Sequence, residues 1–357
     1  MRRSERGWVG LSTRKGQRKL ELPGFFEAPP ELTITFEGRP YGARRGETLA
    51  QTLLAHGIYV TGRSAKYHRP RGLFCGRGAC GHCMARIDGF PNQRTCTAVA
   101  CDGSQIESQN VVGSARFDLL STIDWLFPGG IDHHRLMTES TPLNRVTIAM
   151  ARELSGLGEL PDGELPVTIP EPEWASEVLS VRVAVVGNGP AGSAAASATK
   201  EASLDTLVID PFLESPEGLT GARVIGFYDD RDLLAASPER LWRIRADAIV
   251  LATGGYEQLP SCAGNDMPGI LARRAVESAL DVGVLPGKRV AVALDPAADA
   301  STRRRARALI ERLADSDVMI EVALGLGDIP QARRSLDATL DAVEGRSRVR
   351  RIRVGDG

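Results

Sequence analysis

Five of the six cysteines fall between residues 75 and 101, and no other feature restricts the fold of this chain as much. Cys75, Cys80 and Cys83 have the spacing C-x4-C-x2-C, and Cys96 and Cys101 follow shortly after. Secreted, disulfide-stapled domains are small and enter through a signal sequence. This chain has 357 residues, and its basic start, Met1 to Arg6, has no apolar run behind it. Thiolate ligation of metal is therefore the better reading, and a cytoplasmic location is expected. The first three cysteines match the plant-type 2Fe-2S run. Gly76, Gly78 and Gly81 would let a loop wrap a two-iron rhombus and turn backbone N–H groups toward sulfur. Cys96 is the expected fourth ligand, after a strand over 84–87, a turn at Asp88-Gly89 and a return strand, with Cys101 as its competitor. Structural zinc favours two C-x2-C knuckles, and only one is present. A Rieske centre needs two histidine ligands, and His82 is read instead as a loop residue beside the site. An empty, degenerate loop is the remaining alternative.

The residues ahead of the loop fit that reading. Leu32 to Phe36 alternates, Glu37-Gly38 is a turn, and Arg39 to Ala43 can return as the second strand. Thr48 to His56 carries Leu49, Leu53 and Leu54 at helical spacing, with Gly57 where a C-terminal cap belongs. Hairpin, helix and cysteine loop, in that order, predict an α+β β-grasp ferredoxin-like domain. Its expected span is 31–115, after a basic, flexible N-terminus over 1–30. Residues 116–178 are expected to be a helical connector and linker, with helical spacing near 117–127 and 146–157 and a Pro-rich stretch over 161–172.

A second unit, expected over 179–357, opens on Val181 to Val186. That run leads straight into Gly187-Asn188-Gly189-Pro190-Ala191-Gly192 and an Ala-rich stretch. This is G-x-G-x-x-G between strand and helix, the context in which it binds a dinucleotide. Gly187 would make the turn, Gly189 would admit the pyrophosphate, and Gly192 would let helix and strand approach. Asp210 ends the next strand, where a ribose-binding carboxylate belongs. A later strand, Ala248 to Ala252, ends in Thr253-Gly254 and would pass beside the same cofactor. The prediction is an α/β Rossmann-type FAD/NAD(P)-binding domain. The strand over 289–294 is followed by Asp295-Pro296-Ala297-Ala298-Asp299, without a glycine fingerprint, so nicotinamide binding there is not expected.

Together these motifs resemble the α subunits of heteromeric sarcosine oxidases and their relatives, the hydrogen cyanide synthase subunits and the D-amino-acid, proline and opine dehydrogenases. The resemblance is most specific at Lys66-Tyr67-His68-Arg69-Pro70-Arg71-Gly72. It continues at Ser108-Gln109-Asn110, Arg116-Phe117-Asp118, Ala252-Thr253-Gly254 and Asn265 to Ile270, and covers most of 30–355. It implies an iron–sulfur flavoprotein oxidoreductase subunit with a 2Fe-2S cluster and FAD. Its implied partner is a flavin-dependent amine- or amino-acid-oxidising subunit in a hetero-oligomer. The stretch between Asp210 and Ala252 is shorter than in the family. The segment that completes the FAD domain and the family's C-terminal aminomethyltransferase-like domain are not expected before Gly357, so the nucleotide domain is expected to be incomplete. The rival is a non-catalytic electron-transfer or assembly subunit with an empty nucleotide domain.

Charge and catalytic residues narrow the rest. With 44 Lys and Arg against 45 Asp and Glu, the net charge of −1 gives no electrostatic case for nucleic acid. No apolar run is long enough to span a membrane. His56, His68, His82, His133 and His134 form no catalytic set and are read as solvated loop residues, and Arg303-Arg304-Arg305 as a solvated helix face.

Overall fold

The computed structural model describes residues 7–10, 30–65, 67–122, 141–142, 144–146, 149, 175–212, 218–228, 231–237 and 240–355. The expected helix over 146–157, the linker over 161–172 and the His133-His134 pair lie mostly or wholly outside them. The chain divides into two compact units, one formed by Met1–Gly163 with Glu257–Gly357 and one by Glu164–Tyr256. The division after Tyr256 falls inside the stretch that the sequence reads as one domain.

The first unit opens with the expected β-grasp. Strands β1 (Leu32–Phe36) and β2 (Arg39–Ala43) form a hairpin whose turn places Glu37 and Gly38 at positive φ. Helix α1 (Leu49–Ala55) starts at Thr48. The Thr48 hydroxyl accepts from Gln51 N, and the Gln51 side chain accepts from Thr48 N, a reciprocal cap. Gly57 at φ +72 follows its end. Strands β3 (Met84–Ile87), β4 (Phe90–Arg94) and β5 (Gln105–Glu107) complete a sheet of order β2-β1-β5-β3-β4, with β1 and β5 parallel. Ile34, Phe36, Leu49, Leu53, Ala85 and Ile106 fill the space between sheet and helix. Burial of several such side chains, at roughly 1.5–3 kcal/mol each, holds the layer together.

The second unit is one sheet of six strands. Strand β6 (Ala175–Val186) enters helix α2 (Pro190–Glu201). Strands β7 (Thr206–Asp210), β8 (Gly218–Thr220), β9 (Arg223–Tyr228), β10 (Asp232–Ala236) and β11 (Arg240–Leu251) follow. Their order is β8-β7-β6-β11-β10-β9. Strands β8, β7, β6 and β11 run parallel, and β9 and β10 form an antiparallel meander on β11. The sequence reading located only the last part of β11. Its first part buries Trp242, Ile244 and Ala246 on one face and turns Arg243, Arg245 and Asp247 outward.

The remainder of the first unit carries helix α3 (Arg273–Asp281), strand β12 (Arg289–Ala293), helix α4 (Ala300–Asp315), and strands β13 (Met319–Leu324) and β14 (Ser335–Leu336) in a parallel sheet β12-β13-β14. Strands β15 (Leu340–Gly345) and β16 (Val349–Val354) pair antiparallel, and the strand Gly7–Gly10 adds to β16. Leu309, Ile310 and Leu313 of α4 pack on Ile320 and Ala323. The arginine run is not simply a solvated face: Arg303 donates from Nη1 to Gly325 O at 2.6 Å and from Nε to Ala298 O at 3.1 Å. Its long side chain reaches back along the helix to the strand–helix turn, and Arg304 and Arg305 are exposed.

This part of the unit packs on the β-grasp. Leu54 and Ala55 meet Ala279 and Val284, and Gln51 Nε2 donates to Ser278 O at 2.9 Å and Ser278 Oγ at 2.8 Å. Among the described residues no helix is long and apolar enough to cross a membrane.

Candidate iron–sulfur and dinucleotide sites

The approach to the cysteine loop leaves no room for side chains. A Cβ on Gly72 would lie 1.8 Å from Tyr59 O. Beyond it the loop turns through Gly76, Gly78 and Gly81, at φ +68, +70 and +67. At Gly76 a Cβ would stand 2.8 Å from Ala275 Cα, and Phe74 O accepts from Ala272 N at 3.0 Å, so the loop is pressed against the first turn of α3. These left-handed turns bring the thiols of Cys75, Cys80 and Cys83 toward one another, and the β3–β4 hairpin returns Cys96 to them. The Cys75 sulfur is bonded by the Cys80 and Cys96 thiols, and Cys96 also meets Cys83. Backbone N–H groups point at the same sulfurs: Gly78 N to Cys96 Sγ at 3.1 Å, Arg77 N to Cys75 Sγ at 3.4 Å, and His82 N to Cys80 Sγ at 3.5 Å.

The electrostatics follow from that crowding. The Cys80 thiol, then the Cys96 thiol, hold Cys75 far below the ordinary thiol range. Cys80 is pushed up by its bond to Cys75 and by burial, and Cys96 by its bonds to Cys75 and Cys83. Cys83 is lowered to about 7, chiefly by Cys96. A pocket that aims three backbone N–H donors at sulfur suits thiolate ligands. Among the described residues no three or more His, Cys, Asp or Glu side chains close on a single metal ion. The thiols form a chain of contacts running from Cys80 through Cys75 and Cys96 to Cys83. Four thiols in such a chain supply the ligand set of a 2Fe-2S cluster. Cys101 is exposed in the turn before β5. His82 lies beside the Phe74 ring, 5.7 Å between centroids, and burial followed by the Arg71 charge pushes its imidazole down.

Behind the loop the structure joins residues that the sequence left as separate motifs. His68, at φ +51, pairs through Nδ1 with Asp118 Oδ2 at 2.9 Å, and both are buried. His68 is therefore not a solvated histidine. Arg71 Nη1 reaches Asp266 Oδ2 at 2.6 Å, and Asn110 Nδ2 donates to Arg63 O at 3.1 Å. These bonds brace the segment that delivers Cys75. No spacing signal in the sequence could pair positions so far apart.

In the second unit the glycine loop lies where β6 enters α2. Gly187 has φ +103, and a Cβ there would be 2.4 Å from Ala252 O. A Cβ on Gly192 would be 1.8 Å from Gly187 O. Gly189, the helix N-cap, faces open space, with nothing within 4 Å of its Cβ position. The packing of the chain itself thus requires two of these glycines, while the third leaves an approach for a ligand at the N-terminus of α2. Asp210 accepts from Asn188 N and Phe212 N, each at 2.8 Å. Thr253 N lies 3.3 Å from the Gly187 Cβ position, and Gly254 turns at φ +74, so all six expected residues gather at the same strand ends.

Residues 30–111 match the 2Fe-2S iron-sulfur cluster binding domain family. The hydrogen cyanide synthase subunit HcnA of Pseudomonas aeruginosa is 36% identical over 88 residues, which take in 80% of that protein and 25% of this chain. The sarcosine oxidase subunit alpha of Rhizobium meliloti is 27% identical across 77% of this chain. The chain belongs to this family of iron–sulfur subunits. It spans about a third of the length of its sarcosine oxidase relatives, 33% of the Rhizobium protein and 28% of one from Corynebacterium. The fold is shared with L-proline dehydrogenase from P. horikoshii, at a TM-score of 0.57 and 20% identity, over 93% of this chain and 60% of that one. Of the residues that carry the sequence resemblance, His68 and Asp118 are buried, and Arg71 and Asp266 are half-buried.

Proposed function

We propose that this chain is an iron–sulfur flavoprotein subunit of a heteromeric amine or amino-acid dehydrogenase or oxidase. The observation that carries the reading is the meeting of four thiols under three backbone N–H donors. Cys75 and Cys80 would hold one iron of a 2Fe-2S cluster, and Cys83 and Cys96 the other. The N–H groups of Arg77, Gly78 and His82 stabilise negative charge on the ligating sulfurs and so favour the reduced form.

The FAD reading rests on the second unit. Gly187, Gly189 and Gly192 would admit the pyrophosphate, with Thr253 and Gly254 beside it. Asp210, oriented by two backbone N–H groups at the end of β7, stands where a ribose hydroxyl would be met. When bound, the two cofactors supply one-electron and two-electron transfer, while the protein holds and orients them. Substrate oxidation is assigned to a partner, a flavin-dependent amine- or amino-acid-oxidising subunit.

One observation favours the second reading, a ferredoxin-like electron-transfer or assembly subunit with an empty nucleotide unit. A relative, HcnA, is matched over 80% of its length by only a quarter of this chain. Measuring FAD per iron in protein co-expressed with the products of neighbouring genes separates the two. About one FAD for every two irons supports the flavoprotein; full iron without FAD supports the rival. Capture of a flavin-dependent oxidising subunit from native cells tests the partner. A monomer that alone oxidises an amino acid with artificial acceptors contradicts it.

A further inference from the structure

Three of the stretches singled out in the sequence meet away from both cofactor sites. Tyr67-His68-Arg69-Pro70, Arg116-Phe117-Asp118 and Asn265-Asp266-Met267 all line one cavity of about 920 Å³ in the first unit. Small-molecule sites span roughly 300–1,000 Å³. Phe36, Ile58 and Val60 of the β-grasp core give the cavity an apolar side, and residues 345–348, where β15 turns into β16, complete its lining.

The lining is basic. Arg63, Arg69, Arg116, Arg346 and Arg348 face the carboxylates of Asp118 and Asp266. Both carboxylates are already engaged within the chain. Asp118 accepts from Val112 N and pairs with His68, and Asp266 pairs with Arg71 and, at 3.8 Å, with Arg69. The guanidinium groups of Arg69 and Arg348 lie over the rings of Tyr67 and Tyr59, each 5.1 Å from the centroid, which holds both side chains in place. Arg63 donates to His68 O and Ala115 O, each at 2.9 Å, but its buried Nε has no acceptor among the described residues. Burial pushes the Arg63 guanidinium down; Asp118 opposes that shift, and Arg346 adds to it. Arg116 and Arg346 are exposed and make no hydrogen bond or ion pair with the described residues. Phe117, beside Arg116, is 66% exposed.

We propose that this cavity binds a phosphate-bearing small molecule of nucleotide size, its phosphates held by Arg116 and Arg346 and its aromatic ring laid against Phe117. The guanidinium fork matches the oxygens of a phosphate. Cations delivered from three separate segments call for more than the single negative charge of one carboxylate. The cavity is a different site from the glycine loop, which belongs to the second unit. The inference rests on neither the cluster reading nor the FAD reading.

The test uses the full chain carrying Gly189→Val, which blocks the glycine loop, and calorimetry with ADP, inorganic pyrophosphate and adenosine. ADP should bind, with an affinity that falls as salt rises. Pyrophosphate should bind more weakly, and adenosine not measurably. Arg116→Glu with Arg346→Glu should weaken ADP about tenfold or more, and Phe117→Ala should weaken ADP but not pyrophosphate. All three side chains are exposed, so the thermal transition should not move. No ADP binding, or binding that ignores salt and both charge reversals, overturns the site. Pyrophosphate binding equal to that of ADP overturns the role of Phe117 and the nucleotide class with it. Retention of FAD by the Gly189→Val chain counts against the glycine loop alone, because the charge reversals do not touch that loop.

Discussion

The cysteine loop and the glycine loop of the nucleotide unit both use glycine to bring the chain close to a ligand, but they do so differently. In the cysteine site the ligand-holding atoms are side chains: Gly76, Gly78 and Gly81 turn one loop so that the sulfurs of Cys75, Cys80 and Cys83 converge, and the β3–β4 hairpin returns Cys96 to them. In the nucleotide unit the ligand would face backbone, and Gly187 and Gly192 serve first to let β6, α2 and β11 pack at all. A site made of converging side chains is therefore nearly complete in itself. A site made of backbone depends on everything packed around it.

Substitutions at the thiols should break the comparison most sharply. Cys96→Ser should abolish or reshape the 2Fe-2S EPR signal and lower the iron content, whereas Cys101→Ser should leave both unchanged. If Cys101→Ser is the destructive change, the fourth ligand is misassigned. Next in size are the glycines of the nucleotide unit. Gly192→Ala should destabilise that unit by about 3 kcal/mol, the cost of overpacking against rigid backbone, read as an early thermal transition. Gly189→Val should leave that transition in place and instead exclude FAD. A Gly189→Val protein that retains FAD would show that the loop is not the pyrophosphate site.

Gly76→Ala probes the seam between cysteine loop and α3. It meets Ala275 and forces a side chain to φ +68, so a loss of about 2 kcal/mol is expected, with faster amide exchange in α3. Smaller still is Thr48→Ala, which removes one half of the reciprocal cap and should cost about 1 kcal/mol. The smallest effect concerns acid. Arg289, and then Arg333, hold the Glu321 carboxyl below its ordinary value of 4.5. A depressed carboxyl contributes stability above its unfolded pKa, and that contribution is lost as pH falls through the folded one. Glu321→Gln should therefore flatten the acid limb of the stability profile below about pH 4.5. An unchanged acid limb would mean that the pair adds nothing.

How much of this was legible in the sequence follows the same divide. The β-grasp elements were readable because local signals agreed: Thr48 and Gly57 bracket α1, and Asp88-Gly89 marks the turn between β3 and β4. Cys75, Cys80 and Cys83 were readable from spacing within one loop, and Cys96 from the Asp88-Gly89 turn that folds β4 back along β3. The His68–Asp118 and Arg71–Asp266 bonds were not, since they join segments 50 and 195 residues apart and no local pattern encodes such a pairing. The first half of β11 did carry a local signal, since Trp242, Ile244 and Ala246 alternate with Arg243, Arg245 and Asp247 in the period of a half-buried strand, and the sequence reading stopped short of it. The compact unit formed by the β-grasp and residues 257–357 also has no local sign. It arises from contacts such as Gln51 with Ser278 that only the folded chain creates.

The central claim is that the four thiols hold a two-iron cluster. Its most direct test is iron and acid-labile sulfide analysis of anaerobically purified protein, paired with EPR after dithionite reduction. About two irons and about two sulfides per chain, with a rhombic signal of spin one-half, are predicted. Stoichiometric zinc in place of iron, with no such signal, would contradict the account.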